Sequence, residues 1–268
     1  MKIGIIAADD NKRAKELCRK IQDYLKEKGH QAVLDLKETE AVVVLGGDGT
    51  LIHSACENVE LGVPFVGVNV GTLGFLTAAD GDEWQKVVDV ILSGKLVVSE
   101  RMTLEANISR LTTNDERLTQ YRALNEIVIK GMYRVVNLEI AVNNQKFLSV
   151  VGDGIIVATP TGSTAYSLSA GGPIVDPEVD SLLITPVNAH GLPIPSVVLS
   201  PEDVVEIKVT KGEDVSLIID GQEHTKVESG QTVKVSRGKY RVKLGYFDEH
   251  HFLKALNSKF GLTSRTTA

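Results

Sequence analysis

The sequence predicts an α/β N-terminal domain with a mainly parallel sheet, followed by an all-β, sandwich-like C-terminal domain. Strands alternate with amphipathic helices as far as Leu92, and after Ser93-Gly94-Lys95 short β-branched runs follow one another with turn signals such as Asn143-Asn144 and Asp220-Gly221 between them. A length of 268 residues gives room for two cores. The expected division is 1–98 for the first domain and 99–248 for the second. The remaining segment, 249–268, is expected to pack back on the first domain.

Residues 2–7 read as a first strand, after which Asp9, Asp10 or Asn11 can cap a helix. That helix buries Ala14, Leu17, Cys18, Ile21 and Leu25 at helical spacing and ends at Gly29. Cys18 sits on this apolar stripe and reads as a small core residue. Residues 31–36 form a second strand and 41–45 a third, which delivers the glycine-rich run Gly46-Gly47-Asp48-Gly49-Thr50. A helix over 50–60, a strand over 64–69 and a second glycine loop, Val70-Gly71-Thr72-Leu73-Gly74-Phe75-Leu76, follow. In the helix over 82–93, Trp84 shares a face with Val87, Val88, Ile91 and Leu92, so it reads as packing. The second half carries strands over 104–108, 123–130, 135–142, 147–151, 154–158, 204–209, 215–219, 233–235 and 240–246. Phe252, Leu253, Leu256 and Phe260 then recur at roughly helical spacing.

A net charge of −6 opposes a broad nucleic-acid footprint, which needs a basic stripe. No apolar run approaches a membrane span, and the amino terminus reads as a strand rather than a signal peptide. The two cysteines, Cys18 and Cys56, form no metal-ligand spacing and no disulfide framework, which predicts a reducing compartment and hence the cytoplasm.

Three constellations carry chemistry. In the first, Ala41-Val42-Val43-Val44-Leu45 reads as a buried strand whose glycines leave no β-carbon to hold a ligand away from the backbone. Thr50 is the expected cap of the next helix, whose first-turn N–H groups suit phosphate. Gly46, Gly47 and Thr50 thus form the candidate phosphate loop. Asp48 repels phosphate unless it holds a cation or orients an attacking hydroxyl. A tight strand-to-helix turn is the competing reading. The run is neither a P-loop nor a dinucleotide fingerprint.

The second constellation is Asp153 to Pro173, where seven hydroxyl side chains fall among the eleven residues from Thr159 to Ser169 after a strongly apolar strand. Such a turn is expected to touch ligand, although surface loops can also be rich in Ser and Thr. In the third, Asn125-Glu126 interrupts a run that otherwise suits a buried strand. The pair can bracket a ribose or a base, the amide donating and accepting while the carboxylate accepts; an exposed strand end is the alternative. The six histidines lie outside all three constellations and read as solvated or structural. No carboxylate cluster suggests a dedicated metal cage.

Taken together, Gly46-Gly47-Asp48-Gly49-Thr50, Asn125-Glu126 and the Asp153 to Pro173 stretch resemble the NAD kinases. That family phosphorylates the 2′-hydroxyl of the adenosine ribose of NAD to give NADP. The resemblance holds in order and spacing over nearly the whole chain. It implies that Asp48 activates the 2′-hydroxyl and that Gly49 lies against the nucleotide. It implies ribose contacts from Asn125 and Glu126, and a contact from Asp153 to the nicotinamide-side portion. Thr164, Ala165, Tyr166 and Ser169 would line the adenine and substrate pocket. Thr161, Asn188 and Gln222 match further binding positions, and Arg134 a phosphate contact. Many relatives have a basic or polar residue where this chain has Val151, which leaves the preference between NAD and NADH open.

The expected donor is ATP or polyphosphate, with Mg²⁺ carried in on ATP because that ion bridges phosphates and needs few protein carboxylates. Relatives are dimers or tetramers, so a homodimer or homotetramer is expected, with no nucleic acid or membrane partner. Two other readings share the glycine loop: a lipid kinase of the diacylglycerol type and a non-catalytic nucleotide sensor. Labelled ATP offered with NAD or diacylglycerol separates the first. Saturable NAD binding without NADP formation would mark the second.

Overall fold

The structure, a computed structural model, describes residues 1–9, 11–33, 35–71, 74–109, 120–191 and 193–261. The chain runs β1 (Lys2–Ala7), α1 (Lys12–Glu27), β2 (Gln31–Val33), β3 (Ala41–Gly46), α2 (Asp48–Glu57), β4 (Phe65–Asn69), β5 (Ala79–Asp80), α3 (Trp84–Leu92), β6 (Val97–Ile108) and β7 (Gln120–Ala123). It continues through β8 (Glu126–Gly131), β9 (Val136–Val142), β10 (Gln145–Gly152), β11 (Gly154–Ala158), α4 (Tyr166–Ser169), β12 (Leu182–Val187) and β13 (Val197–Leu199). It ends with β14 (Val205–Lys211), β15 (Val215–Ile219), β16 (Gln222–Lys226), β17 (Thr232–Tyr246) and α5 (His251–Phe260). Two compact units result, one of Met1–Arg101 with Val242–Ala268 and one of Met102–Arg241.

In the first unit β4, β3, β1 and β2 lie side by side and pair in parallel. β3 is buried at all six positions, the near-continuous apolar run expected of a parallel strand covered on both faces. Asn11 caps α1 by accepting the Ala14 N–H at 3.1 Å; Asp10, another expected cap, lies outside the described residues. Ala14, Leu17, Ile21 and Leu25 of α1 pack with Val43, Leu45, Val66 and Val68 of the sheet and Val87, Val88 and Ile91 of α3. Trp84 packs edge-on against Tyr24, with ring centres 5.5 Å apart. Cys18 also packs on this core, and burial pushes its thiol pKa up. Both β3 and β4 end in glycine-bearing loops at the carboxyl edge of the sheet, where α/β folds bind ligands.

The second unit is a sandwich. One sheet runs β13-β12-β11-β8-β15-β16, antiparallel throughout; β10, β9, β14 and β17 form the other, extended by β6 and β7. Period-two alternation sends Ile127, Ile129, Ile155, Val157, Leu182 and Ile184 into the shared core. Val128, Ile156, Ala158, Leu183 and Val187 point to the opposite face, beneath Tyr166, Ala170 and Val175. The two expected turns, Asn143-Asn144 and Asp220-Gly221, each have positive φ at both residues, as tight hairpins require.

Several elements differ from expectation, each for a physical reason. The strand expected over 31–36 stops at Val33 and a 3₁₀ turn occupies Leu36–Glu38; Leu34 lies outside the described residues. The helix expected to start at Thr50 starts at Asp48, with Gly47 as its N-cap and no side-chain cap bond. Thr50 instead packs on Gly46, where a β-carbon would collide with it. The run 123–130 is split into β7 and β8, and β12 and β13 join the six-stranded sheet. β12 carries Pro186, which lacks a donor; β13 pairs only with Leu182–Ile184, so that missing N–H costs no bond on that side.

Candidate active site

The first glycine loop places Asp48 in the first turn of α2, half-buried. Its Oδ2 accepts the Phe75 N–H at 2.6 Å, and its Oδ1 accepts the Leu76 and Thr77 N–H groups at 3.0 and 3.2 Å. The second glycine loop is therefore clasped to the first through this carboxylate; its Thr72 and Leu73 lie outside the described residues. Gly74 is required for the closure, because a β-carbon there would collide with the Asp48 carboxyl group. A carboxylate offers about four lone-pair positions. Three N–H donors fix its orientation and leave Oδ2 with capacity to accept one more, from a hydroxyl. Around it, Gly47 and Gly49 face open space, so their backbone is accessible to an anion, whereas Gly46 is filled by Thr50.

In the second unit the Asn125-Glu126 pair sits at the start of β8. The Leu124, Asn125 and Glu126 N–H groups do not join a strand ladder; all three are donated to the Asp220 carboxylate, at 2.8, 2.7 and 3.1 Å. That is why the pair interrupts the strand. In sequence Asp220 is only half of a turn signal; its position in the tight β15–β16 hairpin aims it at this elbow. Glu126 is 4% exposed and accepts the Tyr166 N–H. Burial first, and then the nearby Asp220 charge, push its pKa up to about 8, so it is largely protonated at neutral pH. Asn125 Oδ1 and Glu126 Oε2 are buried without a hydrogen-bond partner. Asn125 Oδ1 is an acceptor without a donor, and Glu126 Oε2 a carboxyl oxygen that donates when protonated and accepts when ionised; leaving such groups unpaired is costly, which marks a place where a polar ligand group belongs.

The hydroxyl-rich turn folds over this elbow. Thr159 Oγ1 donates to the Leu124 carbonyl at 2.6 Å and accepts the Gly162 N–H at 3.1 Å. Gly162 lies so close to the Asn125 backbone that a β-carbon would collide with it. Ser163 is bonded to Val175, and Ser167 to Thr185 at 2.9 Å. The hydroxyls of Thr159, Ser163 and Ser167 are thus committed to the segments around the turn, Thr185 of β12 among them. Thr161 is buried; Thr164, Ala165 and Tyr166 are half-buried, and Ser169 is exposed. Tyr166 OH lies 3.5 Å from Lys130 Nζ, whose side chain shares the sheet face of Glu126 and Val128.

Asp153 and Asn188 are brought together, the Asn188 amide donating to the Asp153 carboxylate at 2.7 Å. They lie at the Lys130 end of β8, since Gly154 pairs with Lys130 and Ala158 with Glu126. Four strand residues make the separation about 13 Å. Gln222 is exposed beside the Asp220-Gly221 turn, at the Glu126 end. Arg134 is elsewhere, beyond the far end of β8. It is ion-paired with exposed Glu213 at 3.5 Å and lines a cavity of about 420 Å³ with Asn137, Lys211 and Ser229. The structure does not bring it to Asn125-Glu126.

Comparison with known proteins matches residues 35–96 to the ATP-NAD kinase N-terminal domain and residues 124–245 to the ATP-NAD kinase C-terminal domain. An NAD kinase of Clostridium botulinum strain 657 is 37% identical over 98% of this chain and 97% of its own length. One from Thiobacillus denitrificans is 35% identical over 96% and 95%. Among solved structures, yeast NADH kinase complexed with NADH superposes with a TM-score of 0.89 at 24% identity, covering all of this chain and 90% of that one. An Archaeoglobus fulgidus NAD kinase in complex with ATP gives 0.75 at 23% identity, covering 96% and 98%. Two family matches that together span most of the polypeptide, with relatives above 30% identity along nearly its full length, establish that the chain belongs to the NAD kinase family.

Proposed function

We propose that the protein transfers a phosphoryl group from ATP to the 2′-hydroxyl of the adenosine ribose of NAD, giving NADP, with polyphosphate as an alternative donor. The observation that carries this reading is the pair of buried, partnerless side-chain oxygens at Asn125 and Glu126, placed under a turn that presents Tyr166. Sugar hydroxyls both donate and accept, and so can pair with the Asn125 amide oxygen and with the Glu126 carboxyl in either protonation state. The roughly 13 Å between this elbow and the Asp153–Asn188 pair at the Lys130 end of β8 suits an extended dinucleotide.

Asp48 orients the hydroxyl. A carboxylate is a weak base toward a sugar alcohol, so it takes the proton late, as the bond to phosphorus forms; transfer through a loose transition state asks mainly for alignment. Gly47, with the first turn of α2, cradles the donor phosphates and Gly49 lies against the nucleotide, while Gly46 and Thr50 pack on each other and hold the turn. Thr161, Thr164, Ala165, Tyr166 and Ser169 line the acceptor side, with Gln222 at its rim. A divalent cation, Mg²⁺ by preference, arrives bound to ATP. The enzyme works in the cytoplasm as a homodimer or homotetramer. The test is a matrix of donors and acceptors read by NADP formation. Within it Asp48→Asn is expected to lower turnover by roughly two to four decades while NAD still binds. Near-normal turnover of a folded D48N protein refutes the role.

A further inference from the structure

Phe75 is gripped from both sides of its own peptide backbone. Its N–H is given to Asp48, and its carbonyl lies 3.1 Å from His251 Nε2, on the first residue of α5. A carbonyl only accepts, so Nε2 carries the proton. Burial, with the Arg101 charge, outweighs Asp248, Asp48 and the Phe75 bond, and His251 titrates below its ordinary value. The ring is therefore neutral at neutral pH, with one tautomer selected.

The imidazole is held in turn. It stacks on Tyr246 with ring centres 4.0 Å apart and 18° between planes, and the Tyr246 hydroxyl accepts from Arg101 at 3.3 Å. The start of α5 is fixed by Asp248, which accepts the His250 N–H at 2.9 Å and pairs with Lys254 at 2.6 Å. Farther along the helix Phe260 meets the Phe75 ring, 6.1 Å between centres. Among the described residues, these α5 contacts give the loop over Asp48 an external support that neither glycine run contains.

We propose that His251 is a positioning residue, a latch that holds the Phe75–Thr77 backbone so that its N–H groups keep the Asp48 carboxylate aimed. This rests on the reading of Asp48 given above. The latch does not touch substrate; it acts by limiting the rotation of the carboxylate and the opening of the loop.

The experiment compares full-length His251→Phe, His251→Gln and Asp48→Asn with the wild type, reading amide hydrogen exchange at residues 75–77 without nucleotide and steady-state NADP formation. Phenylalanine keeps a ring over Tyr246 and removes the donor, while glutamine places an N–H near the position of Nε2. H251F is expected to speed exchange at these amides roughly three- to tenfold, the worth of one hydrogen bond. Its kcat should fall roughly tenfold with KM for NAD held within twofold, a loss of alignment rather than of binding. H251Q should recover both to within about threefold of the wild type.

Unchanged exchange in H251F, or an H251Q variant as impaired as H251F, overturns the latch. So does an H251Q protein that no longer melts cooperatively while H251F does, since His251 is then a packing residue. A fully active D48N protein refutes the role of Asp48 instead, and leaves the exchange data to decide the latch.

Discussion

At the scale of single residues, two positions carry more than their sequence context suggests. Glu126 has a folded-state pKa of about 8 against an ordinary 4.5, so between those values the folded chain binds more protons than the unfolded one. Stability therefore falls as pH rises through that window, and the contribution is fully favourable only below it. Replacing Glu126 with Gln should remove this dependence: the melting temperature of the wild type should decline relative to E126Q as pH is raised. A ligand hydroxyl that donates to Glu126 favours the charged form, so NAD binding near neutrality should release a proton. Calorimetry in buffers of differing ionisation enthalpy measures it, and uptake instead of release would contradict the assignment. Gly74 is the second case. Ala at this position meets the Asp48 carboxyl group and must break the three N–H bonds it receives. We expect Gly74→Ala to lower turnover at least roughly tenfold with NAD affinity little changed, read as kcat against KM.

At the scale of elements, the elbow before β8 owes its shape to a hairpin from another part of the chain. Asp220 collects three consecutive N–H groups there, as Asp48 does at the Phe75–Thr77 loop. In Asp220→Asn one acceptor oxygen is replaced by an NH₂ group facing N–H donors. The expected cost is about 2 kcal/mol in unfolding free energy by chemical denaturation. NAD affinity should fall with it, because Asn125 and Glu126 lose their placement. Proton release on NAD binding should shrink as well, since the Asp220 charge is one of the causes of the raised Glu126 pKa. A variant with full stability and unchanged NAD affinity would reduce Asp220 to a turn residue.

For the whole molecule, what was legible in the sequence was local. The alternation of apolar runs, the α1 stripe and the two tight hairpins each write their structure into adjacent residues. Features set by distant partners were not legible. Arg237-Gly238-Lys239 reads as a break between two strands, yet β17 runs unbroken through it; Gly238 is there because a β-carbon would collide with Thr103 of β6. The turn that carries Thr159, Ser163 and Ser167 reads as a whole as a ligand contact, but the partners of these three hydroxyls are Leu124, Val175 and Thr185, which no local pattern announces. Asp48 was legible as chemically anomalous, while the three donors that orient it come from a loop twenty-seven residues and more away. Those donors also bear on the cation. With three lone-pair positions already committed, Asp48 is poorly equipped to anchor a resident ion, and among the described residues no group of three His, Cys, Asp or Glu side chains is placed to hold one. The cation should then belong to the ATP complex rather than to the fold. Excess chelator is expected to abolish NADP formation while leaving the melting temperature of the nucleotide-free protein unchanged. Because an ion that binds only the folded state stabilises it by mass action, a drop of several degrees on chelation would reveal a structural metal and overturn this assignment.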